Sequence, residues 1–207
     1  MLGQSQHSYA GEPVDSRVVE LSLGAERFRI PRNYLEAIYA PLNDPQRILR
    51  IPLYYPDFTP ARGDMRPRFE RNDPSNFDHF LIISVLPQNG SVWLAVEKRL
   101  ENLARLGHGV RETKPAPFGL LEIYDDLHPN TVTGRRRFVA DVDGTKLLID
   151  CTDPKLQRKP SQLASVCNYD FPLLDLKVEI QFGQTSMADW ARIYRLTTAL
   201  LLKFKVT

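Results

Sequence analysis

The chain has 207 residues, of which 43% are hydrophobic and 25% are charged, as in an ordinary globular protein that buries its own core. Its 27 basic and 25 acidic residues give a net charge of +2, which argues against nucleic acid as a partner. No apolar stretch reaches the ~18 residues of a transmembrane helix, so we predict no membrane span.

Residues 1–16 are polar and show no periodic pattern, so we expect a disordered leader before one domain over residues 17–207. The leader has neither the charged start nor the apolar centre of a signal peptide. Two interpretations follow. The protein is cytoplasmic, or it is an extracytoplasmic domain from which a signal segment has been removed.

The domain begins with strand-like segments that end at prolines. "RVVELSLGAERFRIP" (17–31) alternates as a β-hairpin does, and "RNYLEAIYA" (32–40) predicts about two turns of helix. "RILRIPLYY" (47–55) predicts a strand, in which Pro52 favours an edge or a bulge.

Residues 56–75 form a long segment without a regular pattern. It contains four prolines and four arginines, and loops of this length are usually functional or mobile. Because Tyr and Arg commonly anchor interfaces, we predict a partner-binding surface over residues 54–71. The predicted contact residues are Tyr54, Tyr55, Asp57, Phe58, Arg62, Arg66, Arg68 and Phe69. The alternative is that the tyrosines belong to the core and the arginines are merely solvated.

Two regular elements follow this loop. "FDHFLIISVLP" (77–87) predicts a buried strand, and "SVWLAVEKRLENLARLG" (91–107) predicts a helix capped by Ser91. Further on, "FGLLEIYDD" (118–126) predicts another strand.

The second half is also rich in strands. "RRRFVADVDGTKLLIDC" (135–151) predicts a hairpin with a two-residue turn at Asp143 and Gly144, because Asp-Gly suits the left-handed backbone of such turns. "FPLLDLKVEIQF" (171–182) alternates regularly and predicts one long strand.

The chain ends in an amphipathic helix. "SMADWARIYRLTTALLLKF" (186–204) repeats apolar residues every three or four positions, and Ser186 with Asp189 resembles a capping box. We therefore predict an α+β fold, in which two main helices, the last at the C-terminus, cover one face of an antiparallel sheet. The order of elements suggests two similar strand–strand–helix halves, although no residue-level similarity supports a duplication.

No established catalytic or cofactor motif occurs in the sequence. His79 and His128 could join an aspartate in a hydrolase site assembled in space, but each also suits a structural role. "YDDLHPN" contains Asp125 and Asp126, which suit a turn or a metal ion, and whose charge could also meet a basic cleft on a partner. We expect no cofactor and no enzymatic activity.

Cys151 and Cys167 are the only cysteines in the chain. They could be two buried thiols, a nucleophile and a bystander, or a disulfide. We favour the disulfide, because each cysteine lies at the end of a predicted strand and neighbouring antiparallel strands would bring them together. A disulfide in turn implies an oxidising compartment such as the periplasm.

Several segments together carry a resemblance to a known kind of protein. "ERFRIPRNYL" (26–35), "LRIPLYYPDFTP" (49–60), a late cysteine pair and "DWARIYRLTTALLLKF" (189–204) occur in an order similar to that of small proteobacterial envelope proteins. Many of these are lipoproteins, and some are immunity proteins encoded beside type VI secretion effectors. The resemblance spans most of residues 18–205, and its motifs are structural.

The resemblance implies a non-enzymatic periplasmic protein that neutralises a cognate secreted antibacterial effector by covering its active site. It also implies a signal segment and a lipid anchor in a longer precursor, and neither is visible in this sequence. Two alternatives remain open at this stage: a periplasmic hydrolase that uses His79 or His128, and a structural protein of the envelope.

Overall fold

The computed structural model describes residues 17–35, 47–61, 79–88, 95–105, 110–125, 135–152 and 165–206. Within these ranges the α-helices are α1 (Val96–Arg105) and α2 (Trp190–Phe204). The strands are β1 (Val18–Leu23), β2 (Glu26–Pro31), β3 (Leu49–Tyr54), β4 (Thr59–Pro60), β5 (Phe80–Pro87), β6 (Val110–Ala116), β7 (Leu120–Asp125), β8 (Arg135–Val142), β9 (Thr145–Thr152), β10 (Val166–Leu173) and β11 (Leu176–Gly183). The predicted α+β fold is confirmed.

Strands β3 to β11 form one antiparallel sheet in the order β4-β3-β5-β11-β10-β9-β8-β7-β6. β8 pairs with β9, and β10 with β11, along eight residues each. By contrast, among the described residues β9 and β10 pair through three residues each, 150–152 with 166–168. We call this short pairing the seam, because it is where the two parts of the sheet meet.

The predicted disulfide lies in the seam. Cys151 and Cys167 face each other across β9 and β10, with their Cα atoms 4.0 Å apart, and their sulfur atoms are bonded. Both side chains are fully buried. The bridge therefore joins the two parts of the sheet directly, at the middle one of the three residue pairs that the structure describes in this ladder.

One face of the sheet carries the main core. Alternate residues of β10 and β11 point into it, because successive side chains of a strand point to opposite faces. Helix α2 covers this face with a buried stripe at helical spacing, and the β1–β2 hairpin packs into the same core. The buried residues of α2 are Trp190, Ile193, Thr197, Leu201 and Phe204.

Helix α1 packs on the opposite face. Leu148 lies between the inward-facing Leu147 and Ile149, and it joins Val96 of α1 and Ile123 in a separate small cluster. The prediction that both helices cover the same face is therefore wrong. The reason is that β7 and β9 each have apolar residues on both faces, so each face can bury a helix.

Three local predictions also differ from the structure. Only Arg32–Tyr34 of the predicted first helix is helical, as a 3-10 turn, and Leu35 is already extended. Residues 36–40 lie outside the described residues. The single strand predicted over 171–182 is a hairpin, because the chain turns at Leu174, whose φ is +57°.

The start of the last helix is the third difference. Residues Gln184–Asp189 form a 3-10 segment, and α2 begins only at Trp190. Asp189 makes no side-chain capping hydrogen bond to the helix, so the predicted capping box is wrong. Its carboxylate accepts a hydrogen bond from Tyr55 instead. The Ser91 cap predicted for the first helix lies outside the described residues.

Candidate functional site

The turn between β3 and β4 meets the start of α2. The backbone N–H of Tyr55 donates to the carbonyl of His79 at 2.9 Å, and that of Phe58 donates to the carbonyl of Tyr54 at 2.8 Å. These bonds fix the turn, and the Tyr55 hydroxyl donates to the carboxylate of Asp189. The turn is thereby attached to a helix 134 residues further along the chain.

Arg192 completes this cluster from the first turn of α2. Its guanidinium carbon lies 6.0 Å from the centre of the Tyr55 ring, and its Nη2 lies 3.5 Å from the carbonyl oxygen of Pro56. The side chain is exposed, and no carboxylate among the described residues forms an ion pair with it. An exposed cation held over an aromatic ring can receive an acidic group from a partner.

The rings of Tyr55 and Phe58 pack edge to face, with their centres 6.3 Å apart. Phe58 has a φ of +55°, a backbone conformation that bulky residues rarely adopt. Both side chains are half-buried, so each presents part of its ring to solvent. We call Tyr55, Phe58, Asp189 and Arg192 the aromatic–arginine cluster.

Burial raises the pKa of Tyr55 to about 12, and its hydrogen bond to Asp189 acts in the same direction. The charge of Arg192 opposes this shift to a smaller extent. The phenol therefore stays protonated at neutral pH and keeps donating to Asp189. This contact holds the β3–β4 turn on α2 throughout the physiological range.

Replacement of Tyr55 by phenylalanine is expected to remove a pH-dependent part of the stability. A raised pKa in the folded state stabilises the fold below the ordinary tyrosine value, and this contribution is lost as pH rises from 10 to about 12. Solvent screening limits the effect to about 1 kcal/mol. Urea unfolding of both proteins across this pH range should show their stability difference shrinking, whereas a constant difference would contradict the assignment.

The other predicted contact residues lie either elsewhere in the structure or outside the described residues. Tyr54 is half-buried and packs its ring against Phe80, with 4.9 Å between the ring centres. Asp57 is exposed beside the cluster. Arg62, Arg66, Arg68, Phe69 and Asp126 lie outside the described residues, as does His128.

Asp125 lies far from the aromatic–arginine cluster in the sheet. It ends β7, and strands β5, β11, β10, β9 and β8 lie between β7 and β3. The two predicted partner-binding surfaces therefore do not belong to neighbouring strands.

His79, the described histidine of the hydrolase alternative, is exposed where the chain enters β5.

Sequence reasoning did not identify Asp189 and Arg192 as parts of the site. The sequence predicts Asp189 as part of a capping box, and it predicts no role for Arg192. The sequence signal that could have linked Asp189 with Arg192 is their spacing of three residues, because this spacing places two side chains on the same side of a helix. Nothing in that spacing indicates that Tyr55 would lie against them.

Two further observations concern the described residues alone. Nowhere in these ranges do three or more histidine, cysteine or acidic side chains come together in a way that could hold a metal ion. None of the helices in the same ranges is both long and apolar enough to cross a membrane.

Two solved structures share this fold. One is an immunity protein of the Stenotrophomonas maltophilia type IV secretion system, which matches with a TM-score of 0.69 and 21% identity over 100% of both chains. The other is the iron-regulated outer membrane lipoprotein FrpD of Neisseria meningitidis, with a TM-score of 0.57 and 13% identity over 93% of this chain and 95% of that one. Comparison with protein-family models and with curated sequences gave no match.

Proposed function

We propose that the chain is a non-enzymatic immunity protein that binds a cognate secreted antibacterial effector and neutralises it. The observation that carries the proposal is the aromatic–arginine cluster, a partly exposed group that contains a tyrosine and an exposed arginine, two of the residue types that most often anchor interfaces. The shared fold with an immunity protein supports the same class of function. Asp57 and the predicted residues Arg62, Arg66, Arg68 and Phe69 extend this interface in the proposal.

The proposal concerns effectors of bacterial secretion systems in general. The sequence resembles immunity proteins of type VI systems, whereas the immunity protein that shares the fold belongs to a type IV system. Both likenesses are compatible with a protein that recognises the effector itself, so the delivery system is not part of the proposal.

We place the protein in the periplasm. The buried Cys151–Cys167 disulfide supports this location, because disulfides persist in oxidising compartments. The fold that the chain shares with an outer membrane lipoprotein is compatible with a lipid anchor in a longer precursor. The same likeness favours a structural role in the envelope as the second candidate function.

The partner should present a carboxylate to Arg192 and an apolar surface to Tyr55 and Phe58. Arg192→Glu is expected to weaken binding by about tenfold or more, because it places like charges together at the contact. The probe is the secreted protein encoded beside the gene for this chain, and affinity is measured by calorimetric titration. Lys203→Glu is the matched control, because Lys203 is exposed on the same helix about 16 Å away.

Growth rescue tests the function itself. Co-expression of the native chain in the periplasm should restore growth of cells that express the neighbouring secreted protein, and the Lys203→Glu variant should restore it equally. The double variant Tyr55→Ala, Arg192→Glu should restore it poorly. Absence of rescue by the native chain would contradict the proposal and favour the structural role.

A further inference from the structure

The start of α2 is held by contacts with three separate parts of the fold. The Tyr55 hydroxyl donates to the carboxylate of Asp189, just before the helix. The indole Nε1 of Trp190, the first residue of α2, donates to the carbonyl of Phe118 at 3.1 Å, and the hydroxyl of Tyr169 donates to the carbonyl of Trp190 at 3.2 Å. Asp189 makes no side-chain capping bond, so these three contacts fix the position of the helix start.

Two of these contacts come from opposite ends of the sheet. Phe118 lies in the turn between β6 and β7, at one end of the strand order, and Tyr55 follows β3, next to the other end. The Trp190 side chain is buried, so its N–H has little access to water if the bond to Phe118 is lost. This bond therefore constrains the helix start against the β6–β7 turn.

Two members of the aromatic–arginine cluster lie within two residues of Trp190. Asp189 precedes it and Arg192 follows two positions later, so a shift of the first helical turn moves both of them. The other two members, Tyr55 and Phe58, are held in the β3–β4 turn by their own backbone hydrogen bonds. The contacts of Tyr55 with Asp189 and Arg192 therefore depend on where α2 begins.

We propose that Trp190 is a positioning residue for the effector-binding surface, because it bonds the start of α2 to the β6–β7 turn. Its side chain is only 5% exposed, so it acts through Asp189 and Arg192 and not by contact with the effector. The inference rests on the proposed function. Loss of the bond lowers the fraction of molecules whose cluster is assembled, and the apparent affinity falls in proportion.

Removal of the indole N–H is expected to weaken binding of the neighbouring secreted protein by about three- to tenfold, the equivalent of one hydrogen bond. Trp190→Phe removes the donor together with part of the ring. Replacement of Trp190 by benzothienylalanine removes the donor alone, because sulfur takes the place of the N–H in a bicyclic ring of similar shape. This second replacement separates the hydrogen bond from packing and tests the proposal even if Trp190→Phe does not fold.

Tyr194→Phe is the matched control. The Tyr194 hydroxyl donates to Oγ1 of Thr145 at 3.2 Å, about one helical turn after Trp190. The variant also removes one hydrogen-bond donor from α2 and keeps the ring, but it leaves the helix start bonded to Phe118. It should bind the secreted protein within about twofold of the native chain.

A second measurement follows the position of Asp189 without the effector. The NMR signal of the Tyr55 ring carbon that carries the hydroxyl reports the hydrogen bond to Asp189 at neutral pH, and Tyr55→Phe identifies this signal. Both replacements of Trp190 should shift the signal, whereas Tyr194→Phe should leave it unchanged. A residue that served stability alone would lower the melting temperature without moving this signal in the folded protein.

The outcomes separate this inference from the proposed function. If the native chain does not bind the secreted protein, the proposed function fails, and the Tyr55 signal alone decides whether Trp190 positions the cluster. If the native chain binds and the benzothienylalanine protein binds within about twofold of it, the positioning role is wrong. An unchanged Tyr55 signal in that protein, or equal weakening by Tyr194→Phe, would also overturn it.

Discussion

Replacement of both Cys151 and Cys167 by alanine is expected to lower the free energy of unfolding by about 3 kcal/mol. The two cysteines are 16 positions apart, and a cross-link that closes a loop of this size restricts the unfolded chain by about that amount. The bridge also stabilises the junction between the two parts of the sheet. It joins β9 and β10 where three described residue pairs connect the two parts of the sheet.

Denaturant unfolding of the oxidised native protein and the double variant measures this difference. The native protein treated with reductant should unfold near the midpoint of the variant. A second variant, Cys151→Ala with Cys167→Val, restores most of the lost volume and separates the cross-link from packing. Equal stability of the oxidised native protein and both variants would contradict the stabilising role of the disulfide.

Phe171→Ala is expected to destabilise the protein by about 3–5 kcal/mol, the usual cost of deleting a fully buried aromatic ring. The centre of the Phe171 ring lies 4.7 Å from that of Tyr194 on α2 and 6.3 Å from that of Tyr169. The Tyr194 hydroxyl in turn donates to Oγ1 of Thr145 at 3.2 Å. The ring therefore lies where α2 crosses from one part of the sheet to the other.

Thermal and denaturant unfolding measure this effect against two controls. Phe171→Leu keeps most of the buried volume and should cost about 1 kcal/mol. Leu202→Ala removes an exposed side chain of the same helix and should change stability by less than about 0.5 kcal/mol. If Phe171→Ala costs no more than Leu202→Ala, α2 does not pack on the sheet as described.

Local sequence signals identified the elements that have a clear turn or a clear helical stripe. The hairpin at Asp143 and Gly144 was predicted correctly, because Asp-Gly between two alternating runs suits the positive φ values of +52° and +78° found there. The helix at the C-terminus was predicted for the same kind of reason, since its apolar stripe repeats at helical spacing.

Sequence reasoning failed where tertiary context decides the structure. Strand β6 was not predicted, because "VRETKPA" contains Lys114 and Pro115, which are characteristic of sheet edges and unusual in central strands. The turn at Leu174 was missed because leucine gives no local turn signal. The pairing of β10, which precedes the turn, with β11, which follows it, fixes the backbone of Leu174.

The proposed interface was predicted only in part. Tyr55 and Phe58 were identified as contact residues from their type alone, and they lie in the aromatic–arginine cluster. Their partners Asp189 and Arg192 come from a distant part of the chain. A single sequence contains no information about which distant residues meet, so these members of the surface required the structure.

Direct titration of the purified native chain with the secreted protein encoded beside its gene tests the proposed interaction most directly. We expect a one-to-one complex with a Kd of about 1 µM or below, formed by the oxidised protein and weakened by Arg192→Glu but not by Lys203→Glu. No detectable complex at concentrations of about 100 µM would contradict the proposed function.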